Sequence, residues 1–176
     1  MLYHGTISIF NAIDVNQGKP YKDFGRGFYV SRTESQARRI AIRNRNFKND
    51  LLAENGIMPD AQAWVYTCEF DDGNLAKLKV KEFTEPNKEW VQFVVKNRSN
   101  RKRQHDYDIV IGSTANDDTN VAVQAFMNRI YGDPNSDKAI QTFLDNILPD
   151  RLPYQMFFGT QRAVNLLRNV GRMAVR

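Results

Sequence analysis

Nucleophilic and metal chemistry have little to draw on in this chain, which holds two histidines, His4 and His105, and one cysteine, Cys68. A serine or cysteine nucleophile needs a base, so a triad would have to be built on one of those two rings. The same three side chains are too few for an ordinary zinc site, and no metal is expected. Cys68 stands among aromatic and β-prone residues and reads as a buried structural thiol rather than a nucleophile. His105 lies between Gln104 and Asp106 in a polar stretch and reads as structural or exposed. Asp117-Asp118 follows the end of a β-prone segment, where it could supply an acid or simply cap a helix. Asp23-Phe24-Gly25 has the letters of a kinase motif, but neither a phosphate loop nor a His-Arg-Asp segment accompanies it. Gly25-Arg26-Gly27 lacks the third glycine and the preceding strand of a dinucleotide-binding fingerprint.

What remains is an order of residues. His4 and Gly5 sit in an opening β-prone segment; a polar loop follows; then comes Phe24-Gly25-Arg26-Gly27-Phe28-Tyr29-Val30-Ser31 and the start of a helix. Taken singly, His4 could be an exposed terminal residue and Tyr29 a core aromatic. Taken together, with glycines at 5, 25 and 27 that let a ligand come close to the backbone, they outline a binding site.

The elements that must position these residues follow from patterning. Residues 1–6 read as a strand, residues 11–23 as a loop, and residues 25–31 as a glycine-hinged turn into a second strand. Thr33 with Gln36 forms a capping-box signal for a helix whose apolar stripe is Ala37, Ile40, Ala41 and Phe47. Alternation over residues 64–70 predicts a strand, and residues 75–80 read as the next one. Residues 90–95 are helical in size, the basic stretch 96–103 reads as a loop, and residues 108–112 form a short buried strand. Helices are expected near 120–131 and 136–148, then a strand over 154–158, then a helix capped by Thr160 that carries Ala163, Leu166, Leu167 and Val170. Strands and helices do not alternate regularly, so the class is α+β, with one domain over residues 1–176.

Composition sets the limits. Hydrophobic residues make up 41% of the 176 and aromatics 11%, enough to build a core and too much for a disordered chain. No apolar run is long enough for a membrane span, and the first residues lack the basic and apolar regions of a signal peptide, so a cytoplasmic location is expected. The net charge of +5 is clustered in Arg38, Arg39, Arg43 and Arg45, again in Arg98, Arg101, Lys102 and Arg103, and along the C-terminus. Such runs suit nucleic acid, an acidic partner or a phosphate-bearing ligand, or are plain solvated surface.

Leu2-Tyr3-His4-Gly5-Thr6, the segment Phe24 to Ser31 and the following Ser35-Gln36-Ala37 resemble the ADP-ribosyltransferase superfamily, in the histidine-tyrosine branch that includes the poly(ADP-ribose) polymerases and diphtheria toxin. More closely, the chain is similar to a bacterial family grouped with these transferases as the DUF3990 type. That likeness rests on Asp23 to Tyr29, Glu89-Trp90, Asn97-Arg98, the stretch from Tyr107 to Gly112, Ala115 to Asp118, and late Gln155 with Phe157. It spans almost the whole chain.

The resemblance implies a split β-sheet core with flanking helices and NAD as co-substrate. It implies that His4 hydrogen-bonds a ribose hydroxyl, that the Gly5 backbone pairs with the carboxamide, and that Tyr29 stacks on the nicotinamide ring. Thr6, Gly27 and Arg26 would belong to the same binding region, Arg26 facing the pyrophosphate from a loop over residues 17–26. Gln155 would occupy the third motif position, where many relatives carry glutamate. A glutamine has no charge and cannot be a base, so slow hydrolysis is expected, with any base supplied elsewhere, Asp117 and Asp118 being candidates. Polymerase-type relatives carry a further stacking tyrosine on the next helix, where this chain has Arg38-Arg39-Ile40. The expected activity is mono-ADP-ribosyl transfer to a protein or nucleic-acid acceptor, by an intracellular toxin with an antitoxin partner. The alternative is an inactive NAD- or nucleic-acid-binding module of the same fold.

Overall fold

The computed structural model describes residues 1–114, 117–147 and 152–176. Strand β1 (Leu2–Thr6) opens the chain, and a loop with a short 3-10 turn at Val15–Gln17 leads to β2 (Phe28–Ser31). Helix α1 (Glu34–Glu54) is followed by β3 (Ala63–Glu69), β4 (Val80–Glu82) and α2 (Lys88–Arg98). Then come β5 (Ile109–Ser113), α3 (Asp117–Met127), α4 (Asp137–Ile147), β6 (Tyr154–Phe158), the short α5 (Gln161–Val164) and β7 (Arg168–Val175). The seven strands form one mixed sheet in the order β4-β5-β6-β2-β1-β3-β7. All neighbours are antiparallel except β4 and β5. The molecule is a single α+β domain, as the patterning predicts.

The central strands are covered on both faces, and their side chains divide with the two-residue period of a strand. Val110 and Phe157 enter a core shared with Trp90, Val91 and Val94 of α2, Phe126 of α3 and Phe143 of α4. Their neighbours Ile109, Ile111, Met156 and Phe158 enter a second core on the other face with Phe28, Val30 and Ala163. A third, smaller cluster seats α1 on the far half of the sheet through Ala37, Ala41, Ala63, Val65 and Val175.

The ladder is uneven. β1 pairs with β3 along its whole length, from Leu2↔Cys68 to Thr6↔Trp64, and β2 pairs with β6 from Phe28↔Phe158 to Ser31↔Gln155. Between β1 and β2 the register is held by one pair, Tyr3↔Ser31. The sheet is therefore two half-sheets joined at a narrow seam.

Several local expectations change. Thr33 sits at the N-cap of α1 with extended backbone, but its side chain makes no capping hydrogen bond. Gln36 is instead buried. Phe47, placed in the apolar stripe, is 71% exposed, because it stands roughly 80° and 120° round the helix from Ala37 and Ala41, the residues that face the sheet, and lines a hollow with Arg39 and Arg43. Residues 72–77 form a 3-10 turn, started by the Asp71 carboxylate accepting the Gly73 N–H at 2.9 Å, so the strand expected over 75–80 is only Val80–Glu82. α2 runs on to Arg98, into the stretch read as loop. The terminal helix is the largest correction. Thr160 does cap it, accepting from the Ala163 N–H, but the helix ends at Val164 and the chain turns into β7. The open edge of β3 supplies a backbone ladder, an Arg168–Glu69 ion pair and the Trp64 ring under Arg172, and these outweigh the helical spacing of the leucines.

Gly5 lies where β1 and α1 touch: a Cβ there would overlap the Ala37 carbonyl oxygen and crowd Ala41. Since the obstacle is helix backbone, Gly5→Ala must push α1 off the sheet, at a cost of about 1–3 kcal/mol. Urea unfolding should show this as a lower midpoint; an unchanged midpoint would mean that the helix does not rest on Gly5.

Candidate functional site

The seam opens into a cleft of about 590 Å³. Its walls include His4, Gly5 and Thr6 from β1, Gly27 and Tyr29 from the approach to β2 and β2 itself, and Gln155 from β6. Residues 150 positions apart in sequence meet because β1, β2 and β6 are successive strands. Of the residues expected in the site, Arg26 is not brought to the cleft: it does not line it, and its Nε is buried without a hydrogen-bond partner among the described residues. A second hollow of about 480 Å³, on the outer face of α1 around Arg39 and Phe47, holds none of these groups.

His4 spans the seam. Its Nδ1 lies 2.7 Å from the Tyr29 carbonyl oxygen. A carbonyl can only accept, so Nδ1 carries the proton and donates, and Nε2 keeps a lone pair. Burial beside Phe28, whose ring centroid is 4.3 Å away, and Phe10 pushes the imidazole pKa down to about 4, against the opposing pull of that hydrogen bond. At neutral pH His4 is thus a neutral, fixed-tautomer acceptor.

Tyr29 uses its hydroxyl for the backbone. The oxygen accepts the Phe24 N–H at 3.0 Å and donates to the Gly25 carbonyl at 2.7 Å, closing the turn ahead of β2. Burial and the nearby Asp23 carboxylate raise its pKa well above the usual phenol value, so it remains a donor. The ring packs against Phe157 at 4.9 Å and also lines the cleft. The turn is held from outside as well. Gly25 has φ +83°, and a Cβ on it would lie 2.8 Å from Arg103 Cγ and 2.9 Å from Asn97 Oδ1. His105 Nδ1 accepts the Tyr107 N–H, which leaves Nε2–H to donate to the Phe24 carbonyl at 2.8 Å. His105 is a structural clamp; burial lowers its pKa to about 4.

Behind this turn lies a polar cluster that patterning alone did not find. Asp23, 4% exposed, pairs with Arg98 of α2 at 2.6 Å through Oδ1. Its Oδ2 accepts from Thr114 Oγ1 and from Gln155 Nε2, each at 3.2 Å. Asp23, Arg98, Thr114, Gln36 and Ser31 all line the cleft. The sequence signal for Asp23 is the Asp-Phe-Gly triplet, and Arg98 is one cation of a basic run. Lys19, Lys22 and Arg43 line the cleft with Asp14, and burial lowers the Lys22 pKa. The wall thus carries cations able to meet an anionic ligand. Cys68 is buried and its thiol is pushed up to about 11, which removes it as a nucleophile. Asp117 and Asp118 begin α3, but their side chains lie outside the described residues.

Fold and site together define an α+β domain with a ligand-sized, partly cationic cleft at a sheet seam. The family described as Protein of unknown function (DUF3990) matches residues 1–169, and the chain belongs to it. No curated protein and no solved structure matches the chain significantly. Among the described residues no helix is long and apolar enough to cross a membrane.

Two measurements follow from the geometry. Both histidines titrate near 4 when folded and near 6.5 when unfolded, so in that window the unfolded chain binds more protons. Stability should be fully present above about pH 6.5 and fall as pH drops toward about 4; imidazole NMR signals that titrate near 6.5 in the folded protein would refute the assignment. Tyr29→Phe keeps the ring but strands the Phe24 N–H and the Gly25 carbonyl, and should cost about 1–3 kcal/mol in chemical denaturation. An unaffected midpoint would show that the turn closes without that hydroxyl.

Proposed function

We propose that this chain is an NAD-dependent mono-ADP-ribosyltransferase with the cleft as its active site. The observation that carries the reading is the gathering of His4, Gly5, Thr6, Gly27, Tyr29 and Gln155 around one cleft of about 590 Å³. That volume lies within the ~300–1,000 Å³ of small-molecule sites. The narrow seam between β1 and β2 agrees with the split sheet of the ADP-ribosyltransferase superfamily.

NAD would supply the ADP-ribosyl group: the bond from C1′ to the nicotinamide nitrogen breaks with its electron pair leaving on nicotinamide, the acceptor nucleophile bonds to C1′, and the acceptor proton passes to solvent. Neutral His4 would accept a hydrogen bond from a ribose hydroxyl at Nε2, its tautomer set by the Tyr29 carbonyl. The Tyr29 ring would face nicotinamide on one side, with no second aromatic at Arg38, Arg39 or Ile40. Lys19, Lys22 and Arg43 would face the phosphates in place of Arg26. Holding the dinucleotide bent and away from water favours the acceptor over hydrolysis as the sugar becomes cationic. The acceptor is a protein or a nucleic acid, the latter suited to the exposed Arg101 and Lys102, since Arg98 and Arg103 are held by Asp23 and the Gly159 carbonyl. An intracellular toxin held by a protein antitoxin is the setting we propose for such an activity. The second reading, a binding module for NAD or nucleic acid, is favoured by the uncharged Gln155.

Incubation with NAD labelled on the adenylate phosphate and a bacterial lysate separates them. The transferase labels a macromolecule, with at least a ~100-fold loss in His4→Ala, Tyr29→Ala and Gln155→Ala. Saturable NAD binding without transfer would establish the binding module, and no binding at all would overturn both readings of the cleft.

A further inference from the structure

The third motif position of this site is an amide, yet the cleft is not without a carboxylate beside it. Asp23 lies 3.2 Å from Gln155, and both are nearly buried, at 4% and 9% exposure. A carboxylate is acceptor-only, so the amide must turn its NH2 toward Asp23. Gln155 Oε1 is then the end left over, on a residue that lines the cleft. Asp23 is itself held on both oxygens, by Arg98 through Oδ1 and by Thr114 through Oδ2. Arg98 comes from α2 and Thr114 from the end of β5, so the carboxylate is fixed from two elements rather than by its own loop.

We infer that Asp23 is a positioning residue for the transfer site, which sets the Gln155 amide with Oε1 toward the cleft to accept a hydrogen bond from a ribose hydroxyl of the dinucleotide. The inference rests on the transferase reading. It divides between two residues what a single glutamate would do: Gln155 presents the acceptor oxygen, and the negative charge stands one hydrogen bond behind it. No proton moves to Asp23 in this arrangement. The pair is a donor–acceptor match that fails when both members are carboxylates, since like charges this close cannot both stay ionised without cost. The match is restored when the two groups trade places.

The test therefore uses the glutamate that the resemblance would favour. Gln155→Glu leaves the Asp23–Arg98 ion pair in place, and it should lower kcat for NAD consumption by at least ~10-fold while KM for NAD moves less than ~3-fold. Asp23→Asn should lower kcat by about 100-fold with a similarly small change in KM. The double variant Asp23→Asn/Gln155→Glu, which moves the carboxylate to β6 and the amide to the loop, should regain kcat to within ~10-fold of the original chain. A readout independent of turnover is the Gln155 side-chain NH2 signal in NMR of the ligand-free protein. It should be shifted and protected, and revert toward free-amide values in Asp23→Asn. Gln155→Glu working as well as the original chain, a double variant no better than its worse parent, or an unshifted amide signal would each overturn the inference alone. An original chain that consumes no NAD overturns the transferase reading itself.

Discussion

Everything at the candidate site depends on how β1 and β2 are held together. An antiparallel pair normally satisfies its backbone along its length, but here one register pair, Tyr3↔Ser31, carries the join. Past it the strands part, and a side chain takes over: His4 Nδ1–H donates to the Tyr29 carbonyl across the gap. Packing crosses the seam on one face, where Leu2 of β1 and Cys68 of β3 share the second core with β2, β5 and β6. The β1 half rests on α1 through Gly5, Ala37 and Ala41, and the β2 half is sandwiched between the two aromatic cores. Because packing on α1 and in the shared core fixes the strands, the seam can stay open as a cleft without a continuous ladder.

The polar groups behind Tyr29 reinforce that arrangement. A buried ion pair such as Asp23–Arg98 contributes little net stability, because removing two charges from water offsets their attraction. Its value is geometric. Breaking it leaves an uncompensated charge, so any misplacement of the Asp23–Gly25 turn against α2, β5 or β6 is penalised. The turn is also gripped by Tyr29, by His105 at the Phe24 carbonyl, and by the packing of Arg103 and Asn97 around Gly25. Two titratable rings with pKa values near 4 belong to this frame, and both act as neutral, oriented hydrogen-bonding groups.

Sequence patterning reached the parts of the structure governed by local rules. The buried strands β5 and β6 were legible because both faces are covered and their apolar runs are continuous. His4, Tyr29 and Gln155 stand out as candidates through the resemblance and the glycines around the first two, and all three line one cleft. What escaped was set by tertiary contact. β7 has helical leucine spacing ahead of it and a nearly fully exposed strand pattern, and only the unpaired edge of β3 makes it a strand. Phe47 keeps helical phase with Ile40 but is turned roughly 80° and 120° from Ala37 and Ala41, the residues buried on the sheet, and so stands on the outer face with Arg39 and Arg43. Asp23 and Arg98 are 75 positions apart, and neither spacing nor charge counting shows that they face each other. Arg26, chosen for its charge between two glycines, leaves the cleft to Lys19, Lys22 and Arg43.

The account stands or falls on whether the seam is where a dinucleotide sits. Backbone amide mapping by NMR, titrating unlabelled NAD into the isotope-labelled protein, tests this most directly. The account predicts saturable shifts concentrated at Gly5, Thr6, Gly27, Tyr29 and Gln155, with smaller ones at Lys19 and Lys22, and little change along β7 or the outer face of α1. Shifts confined to residues 101–103 or the outer face of α1, or none at saturating NAD, would contradict it.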